Sequence, residues 1–211
     1  QYDSAISLNP NYADAFMDRG ASKANTGQFE AAIADYLKAE ELGFKKSVVY
    51  SNLGFAYYTL KQPDSALIYF QKALKIDSSN ANAYRWRGEI KYDKNDNKGA
   101  VDDYSLAIKY NPSASNHFAR GLGYYYLKNY KKAIEDMDKG IELNPNIGQY
   151  YYDRGDAKEL LKDMDGACQD WKMAKAKGYS VPDYKIDRCT PQIVYLENGE
   201  LSGCSITANK Y

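Results

Sequence analysis

Glycine recurs along this chain at Gly20, Gly54, Gly88, Gly121 and Gly155, at spacings of 34, 34, 33 and 34 residues. An alanine follows each glycine by twelve: Ala32, Ala66, Ala100, Ala133 and Ala167. A fixed period in this range marks a repeat array, in which one short unit stacks on the next because none can bury its apolar face alone. Such an array presents an extended surface rather than an enclosed reaction chamber.

Other positions keep the same phase. Sixteen after each glycine stand Tyr36, Phe70, Tyr104, Met137 and Trp171, and nineteen after stand Ala39, Ala73, Ala107, Gly140 and Ala174. Four before stand Phe16, Tyr50, Tyr84, His117 and Tyr151. Each unit holds two stretches with apolar residues three and four apart, as in Ala31-Ala32-Ile33-Ala34-Asp35-Tyr36-Leu37, which predicts two amphipathic helices. Short polar breaks such as Asn25-Thr26-Gly27-Gln28 and Lys94-Asn95-Asp96-Asn97 separate them. Asn-Pro at Asn9-Pro10, Asn111-Pro112 and Asn144-Pro145 closes a unit, because the residue before proline is pushed out of helical geometry.

This joint pattern of aromatic, small and proline positions resembles the tetratricopeptide repeat. The resemblance implies an all-α fold: a superhelix (α-solenoid) of five helix-turn-helix units at 13–46, 47–80, 81–113, 114–147 and 148–181. Residues 1–12 read as the second half of a truncated repeat, since Tyr2 to Pro10 aligns with Tyr104 to Pro112. The chain is therefore expected to be a piece of a longer protein. Its Asn, Lys, Tyr and Asp content resembles that of repeat arrays from Bacteroidetes bacteria.

Four units carry arginine just before the glycine, at Arg19, Arg87, Arg120 and Arg154, and aspartate sixteen residues later, at Asp35, Asp103, Asp136 and Asp170. The remaining unit has Leu53 and Tyr69 at those places. Both positions change together, which predicts a structural ion pair across each of four hairpins. Arginine can hold a carboxylate through two parallel hydrogen bonds.

Composition limits the partners. Lys and Arg number 28, as do Asp and Glu, so the chain lacks the basic excess of a nucleic-acid binder. No apolar run approaches the roughly 20 residues that span a bilayer, so direct membrane insertion is not expected. Hydrolase, nucleotide-binding and paired-histidine metal motifs are not found, and neither enzyme activity nor a cofactor is expected. Asp93 to Gly99 matches a calcium loop poorly, with its glycine one place late, and reads as a turn. The single histidine, His117, sits at the phase of a packing aromatic.

The periodicity ends after Tyr179, leaving 182–211 as a cap and tail. Pro182 to Arg188 reads as a short capping helix. Gln192 to Leu196 and Glu200 to Ser202, on either side of Asn198-Gly199, predict a β-hairpin whose register places Cys204 opposite Ile193. The run Ala167-Cys168-Gln169-Asp170-Trp171 resembles the last unit of bacterial tetratricopeptide proteins, where a second cysteine follows some twenty residues on. That resemblance implies a Cys168–Cys189 disulfide, with Cys189–Cys204 second and three reduced thiols still open. A disulfide implies an oxidising compartment, hence a periplasmic or envelope location, with the cytoplasm as alternative.

In this family ligands lie along the first helices of the units. The matching phases here hold Ser51, Phe55, Tyr58, Asn82, Arg85, Glu89, Tyr92, Phe118, Leu122, Tyr125, Tyr126, Gln149, Tyr152 and Asp156. Arg85, Tyr92, Tyr125 and Tyr152 are the leading contacts, joined by Tyr58, Phe118 and Glu89. Such an aromatic row suits an extended peptide or a partner helix. The lysine–asparagine set that grips chaperone carboxyl termini is replaced by Met17, Ser51, Arg85, Phe118 and Tyr152, which argues against that ligand. The expected function is a non-enzymatic module binding a peptide or protein partner, in a bacterial cell-envelope assembly. The alternative is a structural spacer in a larger protein.

Overall fold

A computed structural model describes residues 2–189, 192–195 and 201–205. The described residues fall into two compact units, divided between Pro112 and Ser113. In the first, α1 (Tyr2–Leu8) packs on α2 (Ala13–Asn25), and three hairpins follow. These are α2 with α3 (Phe29–Glu41), α4 (Ser47–Thr59) with α5 (Pro63–Ile76), and α6 (Ala81–Asp93) with α7 (Asn97–Tyr110). The second unit holds two hairpins: α8 (Ala114–Tyr126) with α9 (Tyr130–Leu143), and α10 (Gly148–Leu160) with α11 (Met164–Ala176). A short helix, α12 (Asp183–Asp187), closes on α11.

Local chemistry sets these boundaries. Asn80, Asp96, Ser113, Asn129 and Asp163 cap helices, each side chain accepting a backbone N–H of the first turn. Asn111 and Asn144 stop α7 and α9 in extended geometry, each followed by proline. Between the two helices of each hairpin one residue turns left-handed: Gly27, Lys61, Asn95, Lys128 and Lys162. That phase is a turn position in every repeat, although glycine occupies it once.

Within the first unit the backbone of α2 approaches α4 and that of α4 approaches α6. Among the described residues the second helices stand farther apart, and α3 meets α5 through the long side chains of Glu40 and Lys72 at 3.3 Å. The first helices therefore line the tighter, inner side of that unit. Its core is built from Tyr36, Leu53, Phe70, Ile90 and Tyr104, all 1 % exposed or less. Trp171 and Met137 play the same part in the second unit.

The recurrent glycine permits this packing. A Cβ at Gly54 would lie 2.6 Å from the Phe70 ring, and one at Gly88 2.8 Å from the Tyr104 ring. In each case the aromatic sits sixteen residues on, across the hairpin. Strands β1 (Gln192–Tyr195) and β2 (Leu201–Ser205) pair antiparallel with Ile193 opposite Cys204. The predicted Asn198-Gly199 turn lies outside the described residues. Because the Phe70 ring cannot yield without opening the α4/α5 core, Gly54→Ala should destabilise the fold by about 1–3 kcal/mol. Thermal unfolding followed by circular dichroism would read that loss.

Candidate partner-binding surface

The four arginine–aspartate pairs come together as bidentate bridges. Arg19 Nε and Nη2 donate to the two Asp35 oxygens at 2.9 and 2.7 Å, and Arg87 to Asp103 at 2.8 and 2.6 Å. Arg120 reaches Asp136 at 2.7 Å twice, and Arg154 reaches Asp170 at 2.9 and 2.5 Å. All four aspartates are 5 % exposed or less. A second cation joins three of them: Lys23, Lys91 and Lys158, each at 2.8 Å. Those lysines follow their arginine by four, one helical turn, a signal the sequence carried but the pair rule overlooked. Where that place holds Tyr124, the His117 Nδ1 lies 3.1 Å from Asp136 instead. His117 is thus a partner of the ion pair and not merely a packing ring.

The exceptional repeat replaces the whole set. Leu53, Tyr57 and Tyr69 stand for arginine, lysine and aspartate, and the rings of Tyr57 and Tyr69 stack 5.3 Å apart at 5°. Tyr50 adds a third ring against Tyr69 at 6.4 Å. Aromatic stacking thus takes over the cross-hairpin contact, with the Lys72 ammonium 4.8 Å over the Tyr69 ring in place of an ion pair.

From the start of α3 and along the inner helices α4 and α6, an aromatic ladder crosses successive repeats of the first unit. Phe29 meets Phe55 edge-on at 6.0 Å, Phe55 meets Trp86 at 4.7 Å, and Trp86 meets Tyr58 at 5.5 Å. The Arg85 guanidinium lies 4.9 Å over Trp86 and 3.5 Å from Glu89. Phe55, Tyr58, Arg85, Trp86 and Tyr92 are all half-buried. Trp86 was not among the expected contacts. Its signal was a tryptophan at a phase where the other repeats carry Asp18, Asn52, Ala119 and Asp153. Beside the ladder a pocket of about 290 Å³ is lined by Tyr58, Lys61, Pro63, Ile90, Asp93 and Lys94. The Tyr58 hydroxyl donates to Asp93 at 2.9 Å, and burial together with this carboxylate pushes its pKa up. Glu89 is less available than expected: burial pushes its carboxyl up, and it is engaged by Arg85 and the buried Tyr104 hydroxyl.

In the second unit one expected contact is corrected. Phe118 is 8 % exposed and stacks on Tyr150 at 4.1 Å, so it is a core residue with no face to offer a ligand. Its phase is shared by the buried Met17 and Ser51 and by the half-buried Arg85 and Tyr152, and a large apolar ring there turns toward α10. Tyr125 remains half-buried, edge-on to Tyr126 and Tyr130, its hydroxyl pushed up to about 12 by burial and by the nearby Asp156. Tyr152 packs 5.2 Å from Tyr179. Asp153 is pushed up to about 6, first by burial and then by Asp156. The sulfurs of Cys168 and Cys189 lie at bonding distance, with Cα atoms 5.3 Å apart. Among the described residues no group of three or more His, Cys, Asp and Glu side chains is arranged to hold a metal. No helix among them is long and apolar enough to cross a membrane.

Segments 13–42, 47–80 and 114–147 match family models described as tetratricopeptide repeat. The chain is a tetratricopeptide-repeat protein. Human tetratricopeptide repeat protein 6 is 31 % identical over 156 residues, covering 72 % of this chain and 30 % of that protein. Hsc70-interacting protein 1 of Drosophila melanogaster is 31 % identical over 133 residues, 62 % of this chain and 33 % of its own length. This tetratricopeptide-repeat chain thus spans about a third of the length of these relatives. Among solved structures, MamA superposes with a TM-score of 0.67 at 28 % identity, covering 75 % of this chain and 94 % of that one.

Asp35 makes the ion pairs measurable by pH. Burial alone raises its carboxyl, but the hydrogen bonds from Arg19 and Lys23 outweigh it and hold the pKa below the usual range. A depressed folded-state pKa contributes stability above the unfolded value and loses it as pH falls through the folded value. The stability gap between the wild type and Asp35→Asn should therefore be full at neutral pH and shrink steadily below about pH 4. For Asp103, truncation to Ala leaves Arg87 and Lys91 without their carboxylate and should cost about 3–5 kcal/mol in urea unfolding.

Proposed function

We propose that this chain is a non-enzymatic interaction module that takes a peptide or a segment of a partner protein against the inner helices of its first unit. Tetratricopeptide-repeat proteins mediate protein–protein contacts, and one relative is named for the chaperone it interacts with. The observation that carries the reading is the half-buried ladder of Phe55, Trp86 and Tyr58 with Arg85 lying over it. Partly exposed tryptophan, tyrosine and arginine are the side chains most enriched among residues that dominate binding energy. Tyr92 on the same helix is a further contact in this reading, with Tyr125 and Tyr152 forming a second aromatic patch on the other unit.

The lysine–asparagine clamp residues are replaced, so an acidic carboxyl terminus is not the ligand. The adjoining pocket of about 290 Å³, floored by Ile90 and Pro63, fits one apolar side chain of a bound segment. The closeness of Cys168 and Cys189 supports an oxidising location such as a bacterial envelope. Protein unfolded in guanidinium chloride and alkylated without prior reduction should then carry no label on either cysteine. A second reading, a structural spacer, draws support from the chain's spanning only a third of its relatives' length.

The test compares the wild type with an Arg85→Ala/Trp86→Ala variant in partner capture from the native organism, with melting temperatures measured in parallel. Loss of about tenfold or more of a captured protein, with unfolding unchanged, is the expected outcome for hot-spot residues. Capture that survives in the variant, or a collapse of its stability, would overturn the assignment and favour the spacer.

A further inference from the structure

The cap of the second unit holds a lysine in an unusual place. Lys185, in the five-residue α12, is 6 % exposed. Its ammonium lies 4.6 Å from the Trp171 ring and 4.8 Å from the Tyr152 ring. It donates to Asp156, which also accepts from Trp171 Nε1 at 2.8 Å, and stands 3.9 Å from Glu159. Arg188, which follows α12, reaches Glu159 at 2.5 Å. Two aromatic faces and two carboxylates around one ammonium form a cage for a cation.

The countercharges have a single source. Among the described residues, the cations in ion-pair contact with Asp156 and Glu159 are Lys185 and Arg188, both on the cap segment. The cage walls belong instead to α10 and α11. A helix of five residues has no stability of its own. Its near end continues from α11 through residues 177–182, and what ties its far end to the wall is the bond from Cys168 in α11 to Cys189, one residue past Arg188. If the cap leaves, Lys185 and Arg188 leave together. The wall then presents Asp156 and Glu159 uncompensated beside Tyr152 and Trp171, with Asp153 on the same helix.

We propose that the cap is a redox-released plug: Lys185 fills a site for a lysine or arginine side chain of a partner, and reduction of Cys168–Cys189 opens that site. The reductant is a dithiol. Its two thiols become a disulfide, and Cys168 and Cys189 each gain an electron and a proton to become thiols. Both sulfurs are buried, so the dithiol captures the bond when the chain around α12 opens. The proposal rests on the partner-binding reading only in taking its ligand to be a protein side chain, and it concerns a different surface from the Trp86 ladder.

The experiment uses the full chain, oxidised or reduced with dithiothreitol, in two readouts. Hydrogen exchange of residues 183–189 is followed by mass spectrometry, and binding of fluorescein-labelled tetralysine is followed by anisotropy. Reduction should speed exchange in the cap while α10 and α11 stay protected, and should tighten tetralysine binding about tenfold or more, as expected for a desolvated cation–π site with carboxylates. A Cys168→Ser/Cys189→Ser variant should behave as the reduced form, and Lys185→Ala should bind tetralysine without reduction. Asp156→Asn should abolish the gain. Unchanged cap exchange on reduction, or equal tetralysine binding by both forms, would overturn the proposal. An Arg85→Ala/Trp86→Ala variant should leave this binding unchanged, so failure here is distinguishable from failure of the ladder as a partner site.

Discussion

The structure depends on one close approach, repeated in every hairpin: a glycine on the first helix against an aromatic or methionine sixteen residues later on the second. Gly20 meets Tyr36, Gly54 meets Phe70, Gly88 meets Tyr104, Gly121 meets Met137 and Gly155 meets Trp171. The missing Cβ is what lets a ring lie flat against the opposing backbone, and that separation sets the reach of every other contact across the pair. The arginine one place before the glycine reaches the aspartate one place before the ring, two planar groups facing at the distance that two parallel hydrogen bonds require. Glycine and ring set the gap, and the ion pair fixes its orientation.

A buried carboxylate with one arginine is a delicate arrangement, because desolvation can exceed the Coulombic gain. The chain answers with a surplus of donors. Lys23, Lys91 and Lys158 give three aspartates a second cation, and His117 gives the fourth a second nitrogen. On the outer edge, Arg19 and Arg154 also bind Asp3 and Asp138, sixteen residues before them. The guanidinium thereby links the second helix of one hairpin to the first helix of the next. The repeat with Leu53 shows that the arginine–aspartate pair is dispensable: Tyr57 and Tyr69 fill the same space by stacking.

Fixed phases made the helices, their boundaries and the ion-pair partners legible, because a solenoid repeats each contact and so writes it several times. What occurs once was not legible. Trp86 replaces small or polar residues at its phase and gains meaning only because Phe55 of the preceding hairpin lies 4.7 Å away. Phe118 shares its phase with the half-buried Arg85 and Tyr152 and with the buried Met17 and Ser51, so the phase marks a border of the core, and an apolar ring there turns inward onto Tyr150. Lys185 lies beyond the last repeat, where no period exists to indicate burial, and a lysine is among the residues least expected inside.

The same geometry explains why tyrosine outnumbers phenylalanine, 22 to 6. The rings that fill the gaps between helices end near their polar rims, where a hydroxyl can reach a partner and a bare edge cannot. Tyr58 donates to Asp93, Tyr104 to Glu89 and Tyr50 to Glu40, in each case from an apolar contact on one side to a carboxylate on the other. Tyr151 reaches the Pro145 carbonyl and so ties the first turn of α10 to the bend before it. A phenylalanine at these positions keeps the packing and leaves the carboxylate facing an apolar edge. The tyrosines are therefore a second bonding system laid over the glycine–ring contact. They hold acidic side chains in place along helix faces, so the half-buried ladder and the cap cage both stand on surfaces whose carboxylates are already oriented.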